Sequence, residues 1–303
     1  MGSLEGFLNL DKPAGFTSHD GVAVVRRVLR TRKVGHGGTL DPAATGVLPI
    51  AVGRATRFLS FLPGDKVYRA TFRLGQRSDT DDAEGQIQTG SPCAELGREP
   101  VEQALREFVG EVLQVPPLYS AVKRQGKKLY QLARAGIEAA QLQLEPRPVS
   151  IHRLHLLDWR PGDFPEIDLE ITCGPGTYIR AIARDLGEKL GCGGLMSRLR
   201  RLQSGPFRIE QSVPLETWQG SADPAAALWP IETGFLHWDA IPLPPDVAQR
   251  WQQGQAVEVG SLSPGSEYLS EYLRVQGSNG EFLGLGRRQD AWLKPLRVLL
   301  PDP

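Results

Sequence analysis

Alternation and helical spacing of apolar residues divide most of the chain into recognisable elements. Lys66 to Leu74 alternates cleanly, with Tyr68, Ala70, Phe72 and Leu74 on one face and Arg69, Thr71 and Arg73 on the other. A period of two is the mark of a half-buried strand. Glu166 to Cys173 repeats it, with Ile167, Leu169, Ile171 and Cys173 inward. Gly6 to Leu10 reads as a short buried strand. Three stretches carry helical spacing instead. Thr17 or Ser18 caps a helix to about Leu29, with Val22, Val25 and Val28 or Leu29 as its inner stripe. Val101, Leu105, Phe108 and Val112 predict a second helix. Gly174-Pro175-Gly176 turns the chain into a third, with Ile179, Ile182, Leu186 and Leu190 aligned. Strands and helices do not alternate strictly, which predicts an α+β sheet domain and not a doubly wound one.

The pattern changes at Ile241-Pro242-Leu243-Pro244-Pro245. Beyond it, Tyr268 to Val275 and Glu281 to Leu285 flank Gly277-Ser278-Asn279-Gly280, a hairpin signal. The expected organisation is a domain over residues 1–240 and a small β-barrel-like module over 241–303. Within the first part, Pro116 to Pro148 is a polar excursion holding Lys123, Arg124, Lys127, Lys128 and Arg134. His152 and His155 lie three apart in a strand-like segment, on opposite faces, and make a poor metal pair.

Composition adds limits. Hydrophobic content of 40% and charged content of 23% are ordinary for a globular protein. Net charge is zero, so no overall polycation announces a nucleic-acid partner. The charge is unevenly spread, however. Arg180, Arg184, Lys189, Arg198, Arg200, Arg201 and Arg208 face only Asp185 and Glu188 between Tyr178 and Arg208, while Asp79 to Glu111 is strongly acidic. That polarity predicts a basic face for a polyanion and an acidic back. Cys93, Cys173 and Cys192 are odd in number and widely spaced, which fits a reducing cytosol and a cytoplasmic protein. No apolar run reaches membrane-spanning length, so no membrane partner is expected.

Candidate chemistry concentrates in Gly35-His36-Gly37-Gly38-Thr39-Leu40-Asp41-Pro42-Ala43-Ala44-Thr45. A residue before proline is pushed out of the helical region, so Asp41 should sit on extended or turn backbone. From Gly21 to Ser60 it is the only acid, against Arg26, Arg27, Arg30, Arg32, Lys33, Arg54 and Arg57. A lone carboxylate among cations is expected to have its pKa pulled down and to serve as nucleophile or base. A hydrolase would want a second acid or a Ser-His pair nearby, and the sequence shows no GxSxG and no acid close to Asp41.

The run Gly35 to Pro42, followed by Ala44-Thr45-Gly46-Val47-Leu48-Pro49, resembles the catalytic motif of the TruB-type tRNA pseudouridine synthases. So do Asp11-Lys12-Pro13 with Thr17-Ser18, Lys66-Val67-Tyr68-Arg69, Leu74-Gly75-Gln76-Arg77, Tyr119-Ser120-Ala121, Gly176-Thr177-Tyr178-Ile179-Arg180 and Leu199-Arg200-Arg201-Leu202. These blocks stand in the family's order over about residues 6–210. The resemblance implies a mixed central sheet with flanking helices, ended by a PUA-like RNA-binding module. It implies isomerisation of the uridine at position 55, in the TΨC loop of tRNA, by base flipping. Such a reaction oxidises nothing and adds no group, so no cofactor and no metal are expected; the partner would be the T-arm stem-loop, and since nothing in the sequence demands a dimer a monomer is expected. By resemblance Asp41 is the catalytic carboxylate, Arg180 pairs with it, and Tyr68 stacks on the extruded base with its hydroxyl near the C5 proton. Tyr178 and Leu199 would line the pocket and His36 would fill the space the uridine leaves. Residues 116–148 would close over the RNA through Lys123, Lys127 and Lys128. One departure is Glu84, where the family's usual residue is Asp. The competing reading is a tRNA-folding chaperone in which catalysis is secondary.

Overall fold

The structure, a computed structural model, describes residues 4–88, 90–120, 122–124, 126–135, 144–259 and 270–300. In chain order the strands are β1 (Gly6–Lys12), β2 (Val34–His36), β3 (Thr45–Val52), β4 (Lys66–Leu74), β5 (Arg77–Ser78), β6 (Ile87–Gln88), β7 (Gly110–Gln114), β8 (Lys123–Arg124), β9 (Lys127–Lys128), β10 (Arg147–Arg160), β11 (Glu166–Cys173), β12 (Gly194–Ser204), β13 (Phe207–Arg208) and β14 (Val213–Pro214). The main sheet runs β14-β1-β3-β12-β4-β11-β10-β7, with β2 and β13 attached at its side. Most neighbours are antiparallel, but β12 meets β3 in parallel and β1 meets β14 in parallel. This is the mixed sheet of an α+β fold.

The alternating strands form where the pattern places them. In β4, Tyr68, Ala70, Phe72 and Leu74 are buried, and in β11 so are Ile167, Leu169, Ile171 and Cys173. These residues join Val22 and Val25 of the helix Ser18–Val28 and Ile179, Ile182 and Leu186 of the helix Ile179–Lys189 in one core. Thr17 caps the first helix in a reciprocal box with Asp20. The helix expected through Val112 is shorter, Arg98–Arg106. Gly110 takes φ of 107°, a left-handed conformation open to glycine, and Val112 becomes part of β7. His152 lies beside a bulge in β10, 3.5 Å from Asp65, and both it and His155 are exposed.

A second, five-stranded sheet follows, in the order β15-β17-β18-β19-β16. Its strands are β15 (Asp239–Pro242), β16 (Val257–Glu258), β17 (Tyr272–Gln276), β18 (Phe282–Gln289) and β19 (Trp292–Val298). The curled sheet is a half-barrel of the PUA-like kind and encloses Ile241, Trp251, Leu273, Val275 and Leu293. The hairpin falls at Gly277–Gly280, closed by Gly277 N–H to the Glu281 carbonyl. Its first strand begins at Tyr272, and Tyr268 lies outside the described residues. A third apolar cluster joins the sheets: Phe7, Phe58, Phe207 and Phe235 from one side meet Phe282 and Leu285 from the other. Phe58 and Phe282 ring centres are 5.8 Å apart.

Candidate active site

Asp41 is held by its neighbours. The buried Ser18 hydroxyl accepts a hydrogen bond from Leu40 N–H (2.8 Å), and Leu40 itself is buried. On the other side, Pro42 offers its carbonyl to Gly15 N–H (2.9 Å) and to the Lys12 ammonium (3.1 Å). Lys12 also donates to the carbonyls of Pro13 (2.9 Å) and Phe16 (2.6 Å). Burial pushes Lys12 down to about 8. A buried polar group needs partners, and these three carbonyls tie the N-terminal loop to the Asp41 turn.

The carboxylate faces Arg180, whose Nε stands 3.1 Å from Asp41 Oδ2. That N–H is not aligned on the oxygen, so the contact is electrostatic. Arg180 is fixed by the rest of its guanidinium: Nη1 donates to the Thr80 carbonyl (3.0 Å) and to Asp82 Oδ2 (3.3 Å), and Nη2 donates to the Tyr119 carbonyl (3.1 Å). The Arg180 side chain is 6% exposed and that of Asp41 is 38% exposed. The pair therefore lies at the floor of an open cleft. Just ahead of Arg180, buried Gln114 grips the Tyr178 backbone, accepting from its N–H (2.8 Å) and donating to its carbonyl (3.1 Å).

Two expectations about Asp41 are corrected. Its pKa is raised and not lowered: burial is the largest influence and the Asp82 charge adds to it, against Arg180 and Lys12. Sequence neighbours do not surround it, since Arg26 turns to the Val34 carbonyl and Arg54 pairs with Glu5. A second acid, Asp82, shares its arginine, although the sequence shows none nearby. The expected separation into a basic face and an acidic back is incomplete, although Arg69, Arg198 and Arg200 do line the cleft. Part of the acidic stretch meets part of the basic one, pairing Asp82 with Arg180, Asp81 with Arg184 and Glu107 with Lys189.

Asp41 and Leu199 line a cavity of about 440 Å³, together with Asp82, Glu84, Arg69 and Arg198. Tyr68 is buried and is not among the lining residues, although it is close enough to feel the Asp41 charge. His36 and Tyr178 are not among the lining residues. His36 lies in β2 with its ring 5.2 Å from His19, edge to face, and burial lowers its pKa. Lys127 is exposed, while the side chains of Lys123 and Lys128 lie outside the description. Among the described residues no cluster of three or more His, Cys, Asp or Glu is placed to hold a metal ion. Nor is any described helix long and apolar enough to cross a membrane. Sequence reasoning missed Gln114 and Arg201 as parts of this architecture.

Comparison with known proteins supplies the class. A family model described as "TruB family pseudouridylate synthase (N terminal domain)" matches residues 26–179, and "Pseudouridine synthase II TruB, C-terminal" matches 240–299. A solved structure described as a Cbf5-Nop10-Gar1 complex superposes with a TM-score of 0.71 at 27% identity, covering 98% of this chain and 85% of that one. A relative in Gloeobacter violaceus called tRNA pseudouridine synthase B is 49% identical over 98% of this chain and 99% of its own length. Another of that name in Synechococcus sp. is 48% identical, covering 98% and 99%. The chain belongs to the TruB family of pseudouridine synthases. It is an isomerase that converts uridine to pseudouridine in tRNA, and the chaperone reading is not favoured.

Proposed function

We propose that the substrate is the T-arm stem-loop of tRNA, that the uridine converted is at position 55, and that Asp41 carries the chemistry. The reaction breaks a C–N glycosidic bond, turns the freed base and joins its C5 to the same sugar carbon. It adds and oxidises nothing, so it needs one ionised carboxylate beside the sugar and a pocket that keeps the base. The observation that carries this reading is the Asp41–Arg180 contact at the floor of the cleft. Burial disfavours the carboxylate's charge and Arg180 restores it, leaving an anion less solvated than one in water.

Extruding a base costs a few kcal/mol, and stacking on one aromatic ring returns about 1–3 kcal/mol. Tyr68 in this reading supplies the ring and later takes the C5 proton, with Tyr178 and Leu199 enclosing the base. His36 occupies the space the uridine leaves. Net affinity must come from phosphate contacts, to which Lys123, Lys127 and Lys128 of residues 116–148 contribute. Residues 241–303 form a second RNA-binding unit beside a catalytic domain of residues 1–240. The enzyme acts as a monomer in the cytoplasm, a setting that suits its free cysteines.

The test is to incubate the protein with an unmodified tRNA transcript and map each new pseudouridine. Modification elsewhere than position 55 rejects the proposed specificity. Asp41→Asn should bind the transcript and release no tritium from C5-labelled uridine; turnover by that variant would remove Asp41 from the mechanism.

A further inference from the structure

Arg201 of β12 is wholly buried, which is costly for a guanidinium. Such a cation ordinarily has a carboxylate partner. Among the described residues none forms an ion pair with Arg201. Its Nε donates to the Val47 carbonyl (2.7 Å), Nη1 to the Thr39 carbonyl (3.3 Å) and Nη2 to the Gly38 carbonyl (3.1 Å). Directly opposite it in the antiparallel register of β12 against β4 stands Tyr68, itself buried, and the Arg201 charge acts on its phenol. The carbonyls bind the arginine to the turn before Asp41, but none can take a negative charge. Tyr68, its buried neighbour across the strand pair, can.

We propose that Arg201 is a positioning residue for the reaction, acting across the strand pair on Tyr68 to stabilise the phenolate that removes the C5 proton. This rests on the reading of Tyr68 as the proton acceptor. Once C5 has joined the sugar carbon, C5 carries both a hydrogen and the sugar, and the ring holds a C6=N1 double bond. The C5–H bond breaks and its proton passes to the phenolate oxygen. The electron pair forms C5=C6, the C6=N1 pair moves onto N1, and N1 takes a proton from water. Tyr68 returns its proton to water before the next turnover.

The surroundings oppose a phenolate, so a cation matters there. Burial pushes the Tyr68 phenol up, and Asp41 and Cys173 push the same way, while Arg201 is the influence that lowers it. Lys66, Lys12 and His36 also feel the Arg201 charge, and burial lowers the pKa of each. An opposite charge within about 4–6 Å shifts a titratable group by about 1–3 pKa units.

Arg201→Lys and Arg201→Gln would be compared with the parent in single-turnover reactions on tRNA carrying hydrogen or deuterium at uridine C5. Circular dichroism would verify the fold of each variant. Proton removal should become slower, so the isotope effect should rise, with Lys less affected than Gln. Placing 3,5-difluorotyrosine at position 68 of Arg201→Lys should recover rate, because a more acidic phenol restores phenolate. If the arginine only braces the turn, the rate falls with an unchanged isotope effect and fluorination recovers nothing, which overturns the proposal. Should both variants unfold, difluorotyrosine in the otherwise intact protein decides: a pH–rate profile unmoved by it overturns the proposal. A separate arm, Tyr68→Phe, tests the underlying reading. C5 proton release at the parent rate rejects Tyr68 as acceptor, whereas lost release together with unaltered Arg201 isotope effects rejects Arg201 alone.

Discussion

Replacing Arg180 by Gln removes the contacts to Asp41 and Asp82 and weakens the hold on the Thr80 and Tyr119 carbonyls. Asp82 is only 10% exposed, so its charge is left without a counterion or adequate water. Removing one partner of a buried pair costs about 3–5 kcal/mol. Asp41 is more open and its share is screened, which favours the lower end. At about 2–4 °C per kcal/mol for a chain approaching this size, a loss of 3 kcal/mol lowers Tm by about 6–12 °C. Adding Asp82→Asn removes the stranded charge, so the double variant should regain more than half of that loss. It should regain no pseudouridine formation, because Asp41 still lacks its arginine. Thermal melts followed by circular dichroism and single-turnover assays on tRNA provide both readouts. A double variant less stable than Arg180→Gln would refute the account of Asp82. Restored turnover would refute the account of Arg180.

Other outcomes follow from the same geometry. Burial raises the Asp41 pKa, so activity should be lost on acidification at a pH above the ordinary carboxylate range. Asp82→Asn removes a neighbouring negative charge, and pH–rate profiles should show that acid limb moved downward. Lys12 has a folded pKa of about 8 against 10.5, so the unfolded chain binds the extra proton between those values. Stability should therefore rise with pH across that window, and urea titrations of Lys12→Met should lack that component. Gln114→Ala leaves the Tyr178 backbone N–H unpaired, while its carbonyl keeps the Ile182 N–H (3.3 Å), and urea midpoints should report a loss of about 1–3 kcal/mol.

The strands β4 and β11 were legible because each buries one face along its whole length, and alternation records that directly. The helix ending at Arg106 was not, since Gly110 breaks a spacing that Val112 continues by coincidence. Asp41 stood out through its local context, but its electrostatics did not. Asp82 lies far along the chain, and only folding brings both acids to one guanidinium. Counting charges along the sequence likewise concealed that three acids of the acidic stretch pair with three cations of the basic one. Arg201 sits in a run of arginines and resembles a surface cation, yet the parallel register of β12 against β3 carries it inside.

The aromatic seam between the two sheets bears on how the chain can be dissected. Phe58 and Phe235 rest on residues from beyond position 240, and Phe282 and Leu285 rest on them in return. A fragment stopped at residue 240 would bare a greasy flank to water and should self-associate in gel filtration. The C-terminal half-barrel thus forms a supporting wall of the catalytic body, and removing it to study RNA contacts would remove part of what keeps the enzyme folded.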